Sequence, residues 1–205
     1  MDHNNILAVV LAGGKSKRFG KDKSQVKLGD KILIDHILTE ILDFYKDILI
    51  VTNETIKFLS SNKISLTNDI KKDLGPLGGV LSAMKWVKDN RKDYEWISTF
   101  PTDTPFFKKE YLIKFYKEID LKKSKLFFMK SKKTRHNIFG LWSLELYEKL
   151  EFALIRGDRK VELWANEIGV KTIDFEYENN KDPFFNINTK DDLETAKKLL
   201  NDDQL

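Results

Sequence analysis

Short apolar runs alternate with segments whose apolar residues recur every three or four positions, and this alternation sets the first expectation for the fold. The run at 6–11, Ile-Leu-Ala-Val-Val-Leu, is partly β-branched and ends at Ala12-Gly13-Gly14. That pattern predicts a buried strand feeding a tight loop, with a helix to follow. After Gly29-Asp30, the residues Ile34, Ile37, Leu38, Ile41, Leu42 and Tyr45 share one helical face. A strand is predicted at 48–52, a short helix at 54–59, a brief extended piece at 64–67 and a loop at 68–75. The pattern turns helical at 77–87 and extended at 95–100. It halts at Pro101-Thr102-Asp103-Thr104-Pro105, because proline offers no backbone N–H to a helix or a ladder. A helix at 108–119 and a strand at 126–130 continue the series.

Strand and helix in alternation imply βαβ units, so the expected fold is α/β, a three-layer α/β/α arrangement on a mainly parallel, Rossmann-like sheet. The last third is less regular. A strand is read at 139–142, two helices flank Gly157-Asp158, and 170–175 looks extended. The final helix is clearer: Thr189 and Asp192 are spaced as a capping box, and Leu193, Ala196, Leu199 and Leu200 supply its apolar face. No repeat and no linker rich in Pro, Gly or Ser divides the 205 residues, so one domain over 1–205 is expected.

Composition narrows the function classes. The 36 Lys and Arg residues against 32 Asp and Glu leave a net charge of +4, dispersed along the chain, which gives no footprint for nucleic acid. With no cysteine there is neither a disulfide framework nor a thiolate metal site, and a cytoplasmic location is expected. No apolar run approaches the roughly 18 residues of a membrane span, and no leader-like segment opens the chain, so a soluble, unprocessed protein is expected.

The candidate chemistry begins at 11–23, where three glycines and five cationic side chains follow the first predicted strand within thirteen residues. Glycines let backbone N–H groups converge on an anion, and Lys and Arg add full charge around the same oxygens. Five residues separate Gly14 from Gly20 where a P-loop has four, and the segment does not fit G-x-G-x-x-G. A phosphate-binding turn and an exposed basic turn therefore both remain open on composition alone. Asp103 should emerge from the carboxyl end of another parallel strand, on the sheet edge where ligands bind. A carboxylate beside a triphosphate is repelled unless a cation such as Mg²⁺ lies between them. The alternative for Asp103 is a helix N-cap or a side-chain turn ahead of Pro105. Asp69 and Asp73, ahead of Gly75-Pro76-Leu77-Gly78-Gly79, present a similar choice; Gly78-Gly79 could admit a planar base or simply open the next helix.

The segment Leu11-Ala12-Gly13-Gly14-x-Ser16-x-Arg18-Phe19-Gly20-x-Asp22-Lys23 resembles the signature of the MobA-type molybdenum cofactor guanylyltransferases, with Phe19 in place of the usual Met. The resemblance continues through Asn68-Asp69, the Gly75 to Gly79 block, Thr102-Asp103-Thr104-Pro105, His136 with Phe139-Gly140-Leu141-Trp142, Arg159-Lys160 and Phe185-Asn186-Ile187-Asn188-Thr189. Asn137 departs from the family, which usually has Pro after the histidine. The resemblance implies an enzyme that transfers GMP from GTP to molybdenum-loaded molybdopterin and releases pyrophosphate. It implies GTP contacts at Leu11, Ala12, Gly13, Gly14, Lys23, Asn53 (or Thr52), Asp69 and Asp103. Catalytic roles fall to Lys23, Arg18 and Asp103, with Mg²⁺ on Asp103 and molybdopterin at Asn186 and Asn188; the alternative for either asparagine is a side chain that closes the turn into the last helix. The nucleotide-binding half would cover about 1–105 and the acceptor-binding half about 106–205. A molybdoenzyme or cofactor-insertion protein would be the partner, with neither nucleic acid nor membrane involved. Rival readings are a nucleotidyltransferase using CTP or another acceptor, such as a sugar phosphate, and a non-catalytic nucleotide-binding chaperone for a molybdoenzyme.

Overall fold

The apolar hexapeptide near the start of the chain becomes the strand β1 (Ile6–Leu11), and its two faces divide the interior. Ile6, Ala8 and Val10 belong to one buried cluster, while Leu7 and Val9 belong to another on the opposite side of the sheet. A strand covered on both faces needs apolar residues without alternation, and this one has them. The structure is a computed structural model and describes residues 3–13, 23–70, 74–90, 92–177 and 182–201.

After β1, a small hairpin of β2 (Lys27–Leu28) and β3 (Lys31–Ile32) precedes α1 (Leu33–Ile41). The chain then forms β4 (Ile48–Val51), β5 (Ile64–Thr67), α2 (Pro76–Asp89) and β6 (Trp96–Pro101). Next come α3 (Lys109–Glu118), β7 (Leu126–Ser131) and β8 (Thr134–Ser143). The last elements are α4 (Tyr147–Arg156), α5 (Val161–Ile168), β9 (Lys171–Phe175) and α6 (Lys190–Asn201).

The main sheet has the order β5-β4-β1-β6-β8-β7-β9, and only β8 runs against the others. Residues of α1 and α3, such as Ile37, Leu38, Leu112 and Phe115, cover the face that carries Val10. Residues of α2, α4 and α5, such as Val80, Met84, Leu150 and Trp164, cover the face that carries Val9. The expected three-layer α/β/α architecture on a mainly parallel sheet is what forms. The capping box also forms: Thr189 N–H donates to Asp192 Oδ2 at 2.8 Å, and Asp192 N–H donates to Thr189 Oγ1 at 3.1 Å.

Two local expectations are corrected. The helix expected at 54–59 is absent, because the Lys57 N–H donates to Gln25 Oε1 and the Leu59 N–H to Asp35 Oδ1, which takes two donors from any helical ladder. The strand expected at 139–142 is the end of the much longer β8, which enters through a hairpin whose two turn residues, Lys132 and Lys133, have φ of 43° and 69°. Positive φ at both centres suits the twist of a tight hairpin, but lysine is not the residue that usually announces one. Residues 14–22 lie outside the described residues, and between Lys23 and α1 the chain forms the β2-β3 hairpin, which the apolar pattern does not announce. Its reversal places Gly29 at φ 65°, a left-handed position that glycine adopts without strain.

Candidate active site

Strand order locates the site. From β1 the chain steps to β4 and β5 on one side and later returns to β6 on the other, so the order reverses between β1 and β6. In an open α/β sheet such a switch point opens a crevice outside the carboxyl ends of the strands. Leu11 is in register with Val51 on one side and Pro101 on the other. The ends of three neighbouring strands therefore present Leu11 to Gly13, Thr52-Asn53 and Thr102-Asp103 side by side. Asp69 follows β5 on the same edge, since Val51 is paired with Thr67.

The Lys23 ammonium donates to Asp103 Oδ2 at 2.6 Å and to Asn188 Oδ1 at 2.8 Å. The Lys23 and Asp103 side chains are only 14% and 23% exposed, so water screens this pair less than a surface ion pair. Asp103 is not a helix cap, because α3 begins only at Lys109, whose N–H donates to Glu40 Oε2 at 2.9 Å. Its second oxygen, Oδ1, carries no hydrogen bond among the described residues, and neighbouring Thr104 Oγ1 is buried without a partner. Asn188 does not close the turn into α6 with its side chain; its backbone N–H does so, donating to Asp192 Oδ2 at 2.8 Å. That bond, the Thr189 hydroxyl and the Thr189 N–H hold the Asp192 carboxyl below the usual carboxylate range.

A second group forms beside β4 and β5. Asn53 is exposed and its Oδ1 accepts the Asp69 N–H at 3.1 Å, while the Thr52 side chain is buried and accepts the Glu54 N–H at 3.1 Å. Of the two, Asn53 is the one facing outward. Ser82 Oγ accepts the Ile70 N–H and lies 2.8 Å from both Asp69 Oδ1 and Gly78 O, one of which receives its proton. Burial raises the Asp69 carboxyl above its ordinary range, with the Ser82 hydroxyl acting the other way. A Cβ on Gly78 would meet Leu74 Cβ at 2.6 Å and Asp69 Oδ1 at 3.3 Å, and one on Gly79 would meet Leu11 Cδ2 at 3.0 Å. The glycine pair thus lets the first turn of α2 approach the end of β1 and the Asp69 carboxylate. Ser82, a polar residue on the buried face of α2, escaped the sequence reading; its i+4 spacing from Gly78 was the available signal.

The other half of the same edge carries a cavity of about 240 Å³, lined by Ser131, Lys132 and His136 from the β7-β8 hairpin, Tyr177 after β9, and Phe184 and Asn186 among others. His136 stacks on Phe184 with ring centroids 3.9 Å apart and lies 2.7 Å from Ser131 Oγ through Nε2. Burial pushes the His136 imidazole from 6.5 down to about 4, and Asp182 opposes that shift. An unfolded chain takes up this proton as pH falls through about 6.5, whereas the folded chain resists until about 4; the stabilising contribution is present above 6.5 and lost toward 4. The melting temperature should therefore fall more steeply between pH 6.5 and 4 for the wild type than for His136→Gln. Equal slopes would remove His136 as a source of acid sensitivity.

Leu11, Ala12, Gly13, Asn53, Asp69, Lys23 and Asp103 thus lie along one sheet edge, and Asn188 reaches it by direct contact with Lys23. Asn186 belongs to the adjoining cavity. Gly14 and Arg18 lie outside the described residues, as does Asp73. Among the described residues no cluster of three or more acidic or histidine side chains forms a metal cage, and no helix is long and apolar enough to cross a membrane.

Residues 8–169 match the family model of the MobA-like NTP transferase domain. The chain is 32% identical over 205 residues to the molybdenum cofactor guanylyltransferase of Rhizobium rhizogenes, covering 97% of this chain and 94% of that one. It is 32% identical over 190 residues to the enzyme of the same name from Haemophilus influenzae, covering 92% and 95% of the two chains. Its fold is shared with the crystal structure of molybdopterin-guanine dinucleotide biosynthesis protein A from Archaeoglobus fulgidus, with a TM-score of 0.73, 24% identity and coverage of 96% and 99%.

Proposed function

We infer the reaction from one premise: the chain belongs to the MobA-like NTP transferase family. It is a molybdenum cofactor guanylyltransferase, which transfers GMP from GTP to molybdenum-loaded molybdopterin and releases pyrophosphate. The observation that carries the chemistry is the meeting of Lys23 and Asp103 at the switch point of the sheet. A lone cation there would suit any anion. A cation paired with a carboxylate that keeps one oxygen open suits a phosphate chain together with a divalent cation.

In the reaction an oxygen of the acceptor phosphate bonds to the α-phosphorus of GTP, the α–β bridging P–O bond breaks, and pyrophosphate leaves with the electron pair. The nucleophile is already an anion, so no strong general base is required. The protein must hold two polyanions in line and neutralise the charge that develops. Lys23 and the N–H groups after β1 serve the nucleotide phosphates, with Leu11, Ala12 and Gly13 forming the floor. Gly14 and Arg18 are assigned to the same task from their place in the motif. Asn53 acts through the backbone of Asp69, and the Asp69 carboxylate serves the nucleotide.

The donor set at Asp103 fits Mg²⁺: a hard carboxylate oxygen without a hydrogen bond among the described residues, beside the Lys23 ammonium, is the type of ligand this ion takes along with phosphate oxygens. When bound, the ion supplies Lewis-acid neutralisation of phosphate charge. The acceptor is assigned to the half after about residue 106, where Asn186 borders the aromatic and polar cavity. Asn188 lies two residues further along, within about 7 Å of chain, next to the Lys23 ammonium. This closeness supports a pterin seated in the cavity with its phosphate directed toward Asp103. We also assign the enzyme to the cytoplasm, where a molybdoenzyme or cofactor-insertion protein would receive the product.

The test is incubation with GTP, Mg²⁺ and molybdenum-loaded molybdopterin, scoring pyrophosphate release and the guanylylated product. GTP binding without pyrophosphate would favour a chaperone, and preference for CTP would make the enzyme a cytidylyltransferase.

A further inference from the structure

The contacts around Lys23 form a closed ring. Lys23 Nζ donates to Asp103 Oδ2, Ile187 N–H donates to the backbone oxygen of Asp103 at 2.9 Å, and Asn188, the next residue, returns its side-chain oxygen to Lys23 Nζ at 2.8 Å. The sequence motif assigned Asn188 to the acceptor. We propose that Asn188 is a positioning residue for the nucleotide: its amide oxygen fixes the direction of the Lys23 ammonium, so that nucleotide binding depends on a residue from the far end of the chain. The proposal rests on Lys23 holding the nucleotide phosphates.

A lysine stem has four rotatable bonds and carries about 2 kcal/mol of rotamer entropy. An ion pair with Asp103 fixes how far the ammonium lies from that carboxylate, and each further acceptor narrows the directions its N–H groups can take. An acceptor at a fixed point narrows them most, and Asn188 is held firmly enough to be such a point. On one side of it, Ile187 is fully buried among Leu28, Leu33 and Ala196 and is tied to Asp103 by its N–H. On the other, the Asn188 N–H is locked by Asp192 within the capping box.

Polarity points the same way. An amide oxygen aimed at an ammonium is well placed to orient that cation and badly placed to meet an acceptor phosphate, which would repel it. The capping of α6 does not require the Asn188 side chain, since Thr189 and Asp192 complete it. What remains for this side chain is Lys23. The amide nitrogen has no hydrogen bond among the described residues and stays available to the acceptor, so one side chain can register both reactants.

The experiment measures GTP affinity by calorimetry in the presence of Mg²⁺ and without any acceptor, for the wild type, Asn188→Ala, Asn188→Leu, Lys23→Ala and Lys23→Ala/Asn188→Ala. A hydrogen bond to a charged group at a partly exposed position predicts about tenfold weaker binding for either Asn188 variant. The double variant should bind no more weakly than Lys23→Ala alone, because Asn188 acts only through that ammonium. Wild-type affinity in both Asn188 variants overturns the proposal, and so does a loss that adds in full to that of Lys23→Ala. Wild-type affinity in Lys23→Ala itself overturns the nucleotide reading of the site, and the proposal with it.

Discussion

Replacing Lys23 with alanine should lower turnover by about 10²–10³-fold, the usual cost of removing one preorganised charge donor from a transferring phosphate. The fold should survive. Lys23 belongs to none of the buried apolar clusters, and the Asp103 side chain, left without its partner, is 23% exposed and can take water in place of the ammonium. The circular dichroism spectrum should match that of the wild type, with a modest drop in melting temperature. The rate loss should appear in kcat as well as in KM, because the β- and γ-phosphates gain negative charge as the bond to the α-phosphorus breaks, beyond what they carry in bound GTP. A variant that turns over at the wild-type rate would take Lys23 out of the mechanism.

Asp103→Asn should be about as damaging, with a different signature. Asparagine keeps the size of the side chain and an oxygen that can accept from Lys23, so the contacts around Ile187 and Asn188 should persist. What it loses is the negative charge that a hard divalent cation needs. Half-maximal activity should require at least about tenfold more Mg²⁺, with turnover at saturating metal still down by about 10²-fold. A second readout does not depend on turnover: Mn²⁺ binding followed by electron paramagnetic resonance in the presence of GTP should weaken in parallel. An unchanged metal titration in both assays would remove the metal from Asp103.

The fold was legible where a segment's own side chains decide its state. β1 is apolar at every position because both faces are covered, and α1 declares itself through Ile34, Ile37, Leu38 and Ile41 on one face. Legibility failed where distant groups override local preference. The 54–59 segment was read as a helix, but Gln25 and Asp35 capture its N–H groups from 32 and 24 residues away. The hairpin into β8 was missed because two lysines occupy positive-φ positions where Asn or Gly would have marked a turn.

For the site, sequence alone determined the cationic glycine segment, a carboxylate at the end of another strand, and the family these motifs resemble. Each depends on residue types at fixed local spacing, which survive in a linear chain. Only the tertiary structure decided that Asp103 faces Lys23 instead of capping a helix, that Asn53 faces outward while Thr52 is buried, and that Ser82 holds Asp69. It alone joined Asn188 to Lys23 across 165 residues. No local period encodes such a contact: it exists because strand order brings the ends of β1 and β6 together and the return into α6 runs across them.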